Sequence, residues 1–274
     1  TVSNFAPLNE VDKFALTSWQ QLGIAPAHAA SDTDYLRRIY LDVIGVLPTP
    51  DEVRAFVADT NPAKRQAIVD RLLERPEYVD LWSLRWSDLL RVHSRFLGEK
   101  GVASFRGWIR QSVRDNKPLT QWAQELLVSQ GNLFTSGPVA YYFVDEKPEE
   151  LAETTAQVFL GIRLQCTKCH HHPNEVWSQD DYYGLAAFFT RIDKKDSNDQ
   201  GRFGGVRAVR PVLNDMPNRQ LAVAAKPKML GQAKASELKA PEDIRRDLAA
   251  WMTARDNPFF ARNFANRYWA WLIG

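Results

Sequence analysis

"DTDYLRRIYLDVIG", residues 32–45, sets Tyr35, Leu36, Ile39, Tyr40, Val43 and Ile44 at steps of three and four and closes on Gly45. At 3.6 residues per turn these side chains share one stripe, so the segment reads as an amphipathic helix and not as a strand. Upstream, "NEVDKFALTSWQQLG" repeats the pattern with Val11, Phe14, Ala15, Trp19 and Leu22, with Asn9 placed as cap and Gly23 as stop. Downstream, Thr49, Pro50 and Glu52 form a capping box that opens the next helix. "NPAKRQAIVDRLLERP" starts on Asn61 and Pro62 and stops before Pro76. Further helices are expected over 77–96, with Trp82, Trp86, Leu89 and Leu90 on one stripe, and near 102–115, 120–129 and 148–164. Ser178 as cap and Asp181 at the third helical position restart the pattern after 177, and "PEDIRRDLAAWMTA" and "NPFFARNFANRYWAWLIG" add two more helices.

The pattern lapses only between about 192 and 240, a stretch rich in Lys, Gly, Asn and Pro. The fold class is therefore all-α: a multi-helix domain over 1–191, an irregular lid or linker over 192–240, and helices over 241–274 that pack on the first domain or begin a second. Short strands are expected around Val206 to Val212 and Leu221 to Ala224, and the lysines of the irregular stretch are read as a solvated face. The last helix is still amphipathic where the sequence stops, so a longer native chain is expected.

At 274 residues and 45% hydrophobic, the chain is long enough to bury a substantial core. No apolar run approaches the about eighteen residues of a membrane span, and the first residues lack the pattern of an export signal. With 35 basic against 33 acidic residues, interspersed, there is no electrostatic case for nucleic acid.

The chemistry concentrates in "QCTKCHHHP", residues 165–173, which holds both cysteines and three of the five histidines. Cys-x-x-Cys-His is the attachment signature of c-type haem: two thiols add to the porphyrin vinyl groups and the adjacent imidazole ligates the iron. Cys166, Cys169 and His170 fill that pattern, and on a helical turn Cys166 and His170 share a face. Zinc needs four ligands, and outside the cluster only His28 and His93 remain, far apart in the chain. A redox dithiol needs a preceding strand, whereas the residues before Cys166 read as helical. Haem is the favoured reading of the three.

"YLRRIYLDVIGVLPTPDEVRAFVAD", "ERPEYVDLWSLRWSDLLRV" and "GIRLQCTKCHHHPNEVWSQDDYYGLAAFFTRI" together resemble the planctomycete cytochrome-c-like domain of unknown function, found in large secreted proteins. The closing "DNPFFARNFANRYWAWLIG" resembles the start of the second planctomycete domain of unknown function that usually follows it. The resemblance implies one covalent haem c on Cys166, Cys169 and His170, and it carries over the "HHP" of His171, His172 and Pro173 and the "WSQDDYYG" that begins at Trp177. It also implies a periplasmic or extracellular location, which agrees with covalent haem attachment taking place outside the bacterial cytoplasm.

The expected function is haem binding and electron transfer, with a redox partner protein and a place in a larger multidomain protein or assembly. A haem enzyme of peroxidase-like or oxidative type, acting on saccharide material through an open distal face, is the runner-up. A scaffold module is the third reading. His171 and His172 are expected to contact the haem or its ligand, or to lie in solvent where a helix ends at Pro173. Candidates for the distal iron position are Met229, Met216 and His93, the last at the end of the tryptophan-bearing helix. Trp177 and Tyr182 are candidate aromatics beside the porphyrin, with Tyr141 and Tyr142 behind them; Met252 and most tryptophans are expected in the core. Asp180 and Asp181 are read as helix-start residues in preference to an acid–base pair.

Overall fold

The computed structural model describes residues 6–25, 27–196, 207–216 and 219–273. Packing divides the chain into two units, Thr1–Leu73 and Glu74–Gly274.

In the first unit, α1 (Glu10–Leu22), α2 (Asp32–Ile44), α3 (Pro50–Ala58) and α4 (Lys64–Leu73) start and stop largely where the local chemistry requires. Asn9 accepts from the Asp12 N–H, Gly23 and Gly45 close α1 and α2 in the left-handed region, and Thr49 and Glu52 satisfy each other's backbone donors. The fourth helix begins at Lys64, two residues beyond Pro62, because the Asn61 side chain first accepts from the Ala63 N–H in a turn. The stripe of α2 supplies buried Leu36, Tyr40, Val43 and Ile44, which pack against α3 and α4 together with Phe56, Ile68 and Leu72. Asp32, at the start of α2, is held by Lys64 at 2.6 Å and Arg65 at 2.9 Å. Those hydrogen bonds, Lys64 first, lower its pKa. In α1 the apolar side chains Val11, Phe14 and Leu22 are exposed.

The second unit holds α5 (Pro76–Leu89), α6 (Ser94–Arg114), α7 (Leu119–Leu127), a short α8 (Tyr141–Val144), α9 (Pro148–Thr155), α10 (Gln179–Ala186), α11 (Arg245–Met252) and α12 (Phe260–Ile273). The mostly helical expectation holds, with a small antiparallel sheet added. Its strands β1 (Gly131–Asn132), β2 (Ile192–Asp196) and β3 (Arg207–Pro211) lie in the order β1-β3-β2. β3 falls within the expected strand, whose first residue Val206 lies outside the described residues. No strand forms at Leu221 to Ala224, where the chain bends and the Ala222 N–H points to a Glu149 carboxylate oxygen at 3.4 Å.

Helix bounds differ from expectation in several places; the helix expected near 102–115, for instance, begins already at Ser94. The helix expected over 77–96 stops at Leu89, because Arg91 takes φ +56° and the Val92 N–H turns back to the Ser87 carbonyl. His93 therefore sits not at the end of that helix but at the cap of the next, its Nδ1 accepting from the Arg95 N–H at 3.0 Å. The helix expected to run to 164 widens into a π-turn at Ala156–Leu160 and stops at Gly161, φ +72°.

The core of this unit joins α5, α6, α7, α9, α10 and α11 through Trp86, Phe105, Trp122, Leu151, Leu185 and Leu248. Met252 is fully buried, as are Tyr141 and Tyr142, whose hydroxyls bond Thr155 and the Leu127 carbonyl. Those two tyrosines are thus core residues. The described part of the 192–240 stretch is tied down as well. Arg219 donates to the Phe189 and Glu146 carbonyls, and the Lys228 N–H donates to the Gly184 carbonyl at 2.9 Å. The Lys228 side chain is not part of a solvated face: it is buried and paired with Asp180 and, at 2.9 Å, with Asp181. No helix among the described residues is long and apolar enough to cross a membrane.

Candidate functional site

The turn that carries the cysteines is built between two anchors. Leu164 is fully buried, and its carbonyl accepts from both the Thr167 N–H, at 2.9 Å, and the Thr167 hydroxyl, at 2.5 Å. This closes a single 3-10 turn, Gln165–Lys168, with Thr167 inward and Cys166 and Cys169 exposed as free thiols. From the other side, α10 holds the Lys168 carbonyl with Gln179 Nε2 at 3.0 Å and the Tyr183 hydroxyl at 3.3 Å. Local geometry differs from the sequence expectation: the helix ends at Leu160, residues 161–164 are not helical, and the turn itself has 3-10 pitch. Cys166 lies within this turn and Cys169 at its C-cap, whereas His170 falls beyond it.

The histidines follow the turn in bends, so no helix runs on to Pro173. His170 is exposed, and its Nδ1 lies 2.6 Å from the His171 carbonyl oxygen. A carbonyl only accepts, so Nδ1 carries the proton and the Nε2 lone pair is left free to ligate. The His172 N–H donates to the Trp177 carbonyl at 2.9 Å, and its Nδ1 accepts from the Asn174 N–H at 3.2 Å, which closes the loop locally. Among the described residues no group of three or more His, Cys, Asp or Glu is arranged to hold a metal ion.

Trp177 is buried, donates its indole N–H to Glu175 at 2.7 Å and meets the Phe259 ring edge-on at 5.7 Å. Tyr182 is fully buried and donates to a Glu153 carboxylate at 2.6 Å, so it ties α10 to α9. Burial, followed by Glu153, pushes its phenol far up. Asp181 completes the Ser178 capping box, and Asp180 and Asp181 share Lys228, which gives both carboxylates structural work. Met229 belongs to the core, with its N–H on the Ser236 hydroxyl. Met216 is half-buried, its N–H on the Thr190 carbonyl.

Beside this turn lies a cleft of about 770 Å³ whose walls include Arg163, Glu175, Trp177, Arg262, Arg267 and Trp271. Arg163 precedes the cysteine turn and Glu175 and Trp177 follow it, so the chain enters and leaves the turn at the cleft wall. The three arginines were not singled out from the sequence. The signal available was a polar pattern in an aromatic helix, Arg262, Asn263, Asn266 and Arg267, which repeats at a spacing of four along one side of α12.

These residues fit a covalently tethered haem: two exposed free thiols on one turn, an imidazole whose tautomer leaves Nε2 available, and an adjoining cleft walled by aromatic and cationic side chains. Comparison with curated proteins and with solved structures gives no match. A family model described as PSCyt2, "Protein of unknown function (DUF1549)", matches residues 10–194, a span that includes the cysteine turn and more than half of the chain. The chain therefore belongs to the PSCyt2 family.

Proposed function

We propose that this chain is an extracytoplasmic monohaem c-type cytochrome-like protein that carries electrons, with haem c tethered through the Sγ atoms of Cys166 and Cys169 and ligated by His170. The observation that carries the reading is the pairing of two free, exposed thiols, one within a 3-10 turn and one at its C-cap, with a neighbouring imidazole whose Nδ1 is held by the His171 carbonyl. When bound, the group supplies a one-electron iron centre. The chain's own part is positioning. Thr167 ties the turn to the Leu164 carbonyl, Gln179 of α10 holds it at the Lys168 carbonyl, and the backbone of His171 orients the ligating ring. A redox partner protein and a larger assembly belong to the same proposal, as does reading the chain's end as the start of the second planctomycete domain.

The test is expression with bacterial haem-maturation machinery, followed by a pyridine haemochrome spectrum and haem staining after denaturing electrophoresis. The wild type is expected to keep its pigment on the gel, and Cys166→Ser/Cys169→Ser to lose it. Pigment retained by the double variant, or none in the matured wild type, overturns the assignment.

A second reading, a haem enzyme with an open sixth position, draws support from the engagement of two of the distal candidates. His93 caps α6 through its ring Nδ1, and Met229 is packed in the core. Carbon monoxide binding by the ferrous protein favours that reading, and its absence favours the carrier.

A further inference from the structure

Three guanidinium groups gather at a cleft that the sequence reading did not use. Arg163 and Arg262 are exposed, whereas Arg267 is half-buried and donates through Nη2 to the Gln157 carbonyl at 3.0 Å and the Val158 carbonyl at 3.3 Å. Arg267 Nε is enclosed with no acceptor among the described residues, and burial lowers the pKa of the group. Against these cations the lining residues offer one carboxylate, Glu175, and it already accepts from the Trp177 indole at 2.7 Å. Amide groups of Asn263 and Asn266 and the rings of Trp177, Phe259 and Trp271 complete the walls. A half-enclosed space with three guanidinia and a single engaged carboxylate is built for anions, and carboxylates are what the guanidinium fork matches best.

We infer that this cleft receives the two propionate carboxylates of the tethered porphyrin, with Arg163 and Arg262 at its rim and Arg267 at its floor; the inference rests on the haem reading above. Arg163 lies only three positions before Cys166, a reach of at most about 10 Å in extended chain. Glu175 and Trp177 bring the chain back to the same wall after the histidines. The arginine charges do two things there: they hold the carboxylates ionised, and they disfavour the extra positive charge of the ferric state.

The matured holoprotein is compared with Arg163→Gln, Arg262→Gln and the charge-keeping Arg163→Lys and Arg262→Lys, each checked for wild-type circular dichroism. Haem content per chain is read from the pyridine haemochrome and the midpoint potential by spectroelectrochemistry at several pH values. The Gln variants are expected to keep covalent haem, to shift the potential downward, and to gain a pH dependence near neutrality as a propionate loses its cation. The Lys variants are expected to stay near the wild type. A folded Gln variant that fails to mature while its Lys counterpart matures also supports a charge role at the cleft. Gln variants with full haem content and unchanged potential and pH profile overturn the inference and leave the haem reading standing. A matured wild type without covalent haem overturns both.

Discussion

Asn263 of α12 donates its Nδ2 hydrogen to the carbonyl oxygen of Val158 at 2.8 Å, so a residue near the end of the chain caps the helix that leads into the cysteine turn. Helix C-termini leave carbonyls without intrahelical donors, and here the π-turn is closed by side chains from α12, Arg267 as well as Asn263. The chain then leaves through Gly161, where a Cβ would stand 2.8 Å from Asn263 Oδ1. The approach to the site is thus set by close contact between two segments about a hundred residues apart.

Gly161→Ala should be costly for two separate reasons: φ +72° is unfavourable for an L side chain, and the added methyl meets Asn263. The backbone part alone is about 1–2 kcal/mol. Urea denaturation should show the loss as a lowered midpoint with little change in slope.

Lys228→Met should destabilise the protein by about 2 kcal/mol, because it removes the cation shared by Asp180 and Asp181 and leaves Asp181 partly buried without it. The measurement is thermal unfolding. Limited proteolysis should also cut the 219–240 region faster, since the Lys228 side chain helps to pin that stretch to α10.

Acid should weaken the same contact. Burial raises the pKa of Asp181, but hydrogen bonds from the Ser178 backbone, Lys228 and the Ser178 hydroxyl outweigh it and leave the value lowered. A lowered carboxylate pKa contributes stability that is present above the unfolded value of about 3.9 and is lost as pH falls through the lower folded value. The stability advantage of the wild type over Asp181→Asn should therefore be largest near neutral pH and shrink below about pH 4, as measured by denaturant titration at a series of pH values.

His171→Ala should leave covalent haem content unchanged in the matured protein. The partner of His170 Nδ1 is the backbone carbonyl of His171, which the substitution keeps. A haem stain reduced to the level of the double cysteine variant would show that the His171 side chain itself is needed.

Asp243→Ala should cost about 3–5 kcal/mol, because it strands Arg245, a fully buried guanidinium that bonds both Asp243 oxygens, at 2.7 and 2.9 Å. Loss of the cooperative thermal transition at the wild-type temperature is the expected readout.

What could be read along the chain was whatever acts over one helical turn. Asn9, the Thr49–Glu52 box, the Ser178–Asp181 box and the stripe of α2 all involve residues three or four apart, so their energetics lie within a short word of sequence. The grouping of Cys166, Cys169 and His170 was legible for the same reason. The pitch of their turn was not, because it depends on buried Leu164 and Thr167 and on the grip of α10 at Lys168. The pairing of Lys228 with two aspartates and the meeting of Arg163 with Arg262 and Arg267 were likewise decided by tertiary packing. Charges and aromatic rings distant in sequence share a cleft only once particular helix faces have been buried against each other. Local periodicity specifies that a face exists, and the packed core selects what it will face.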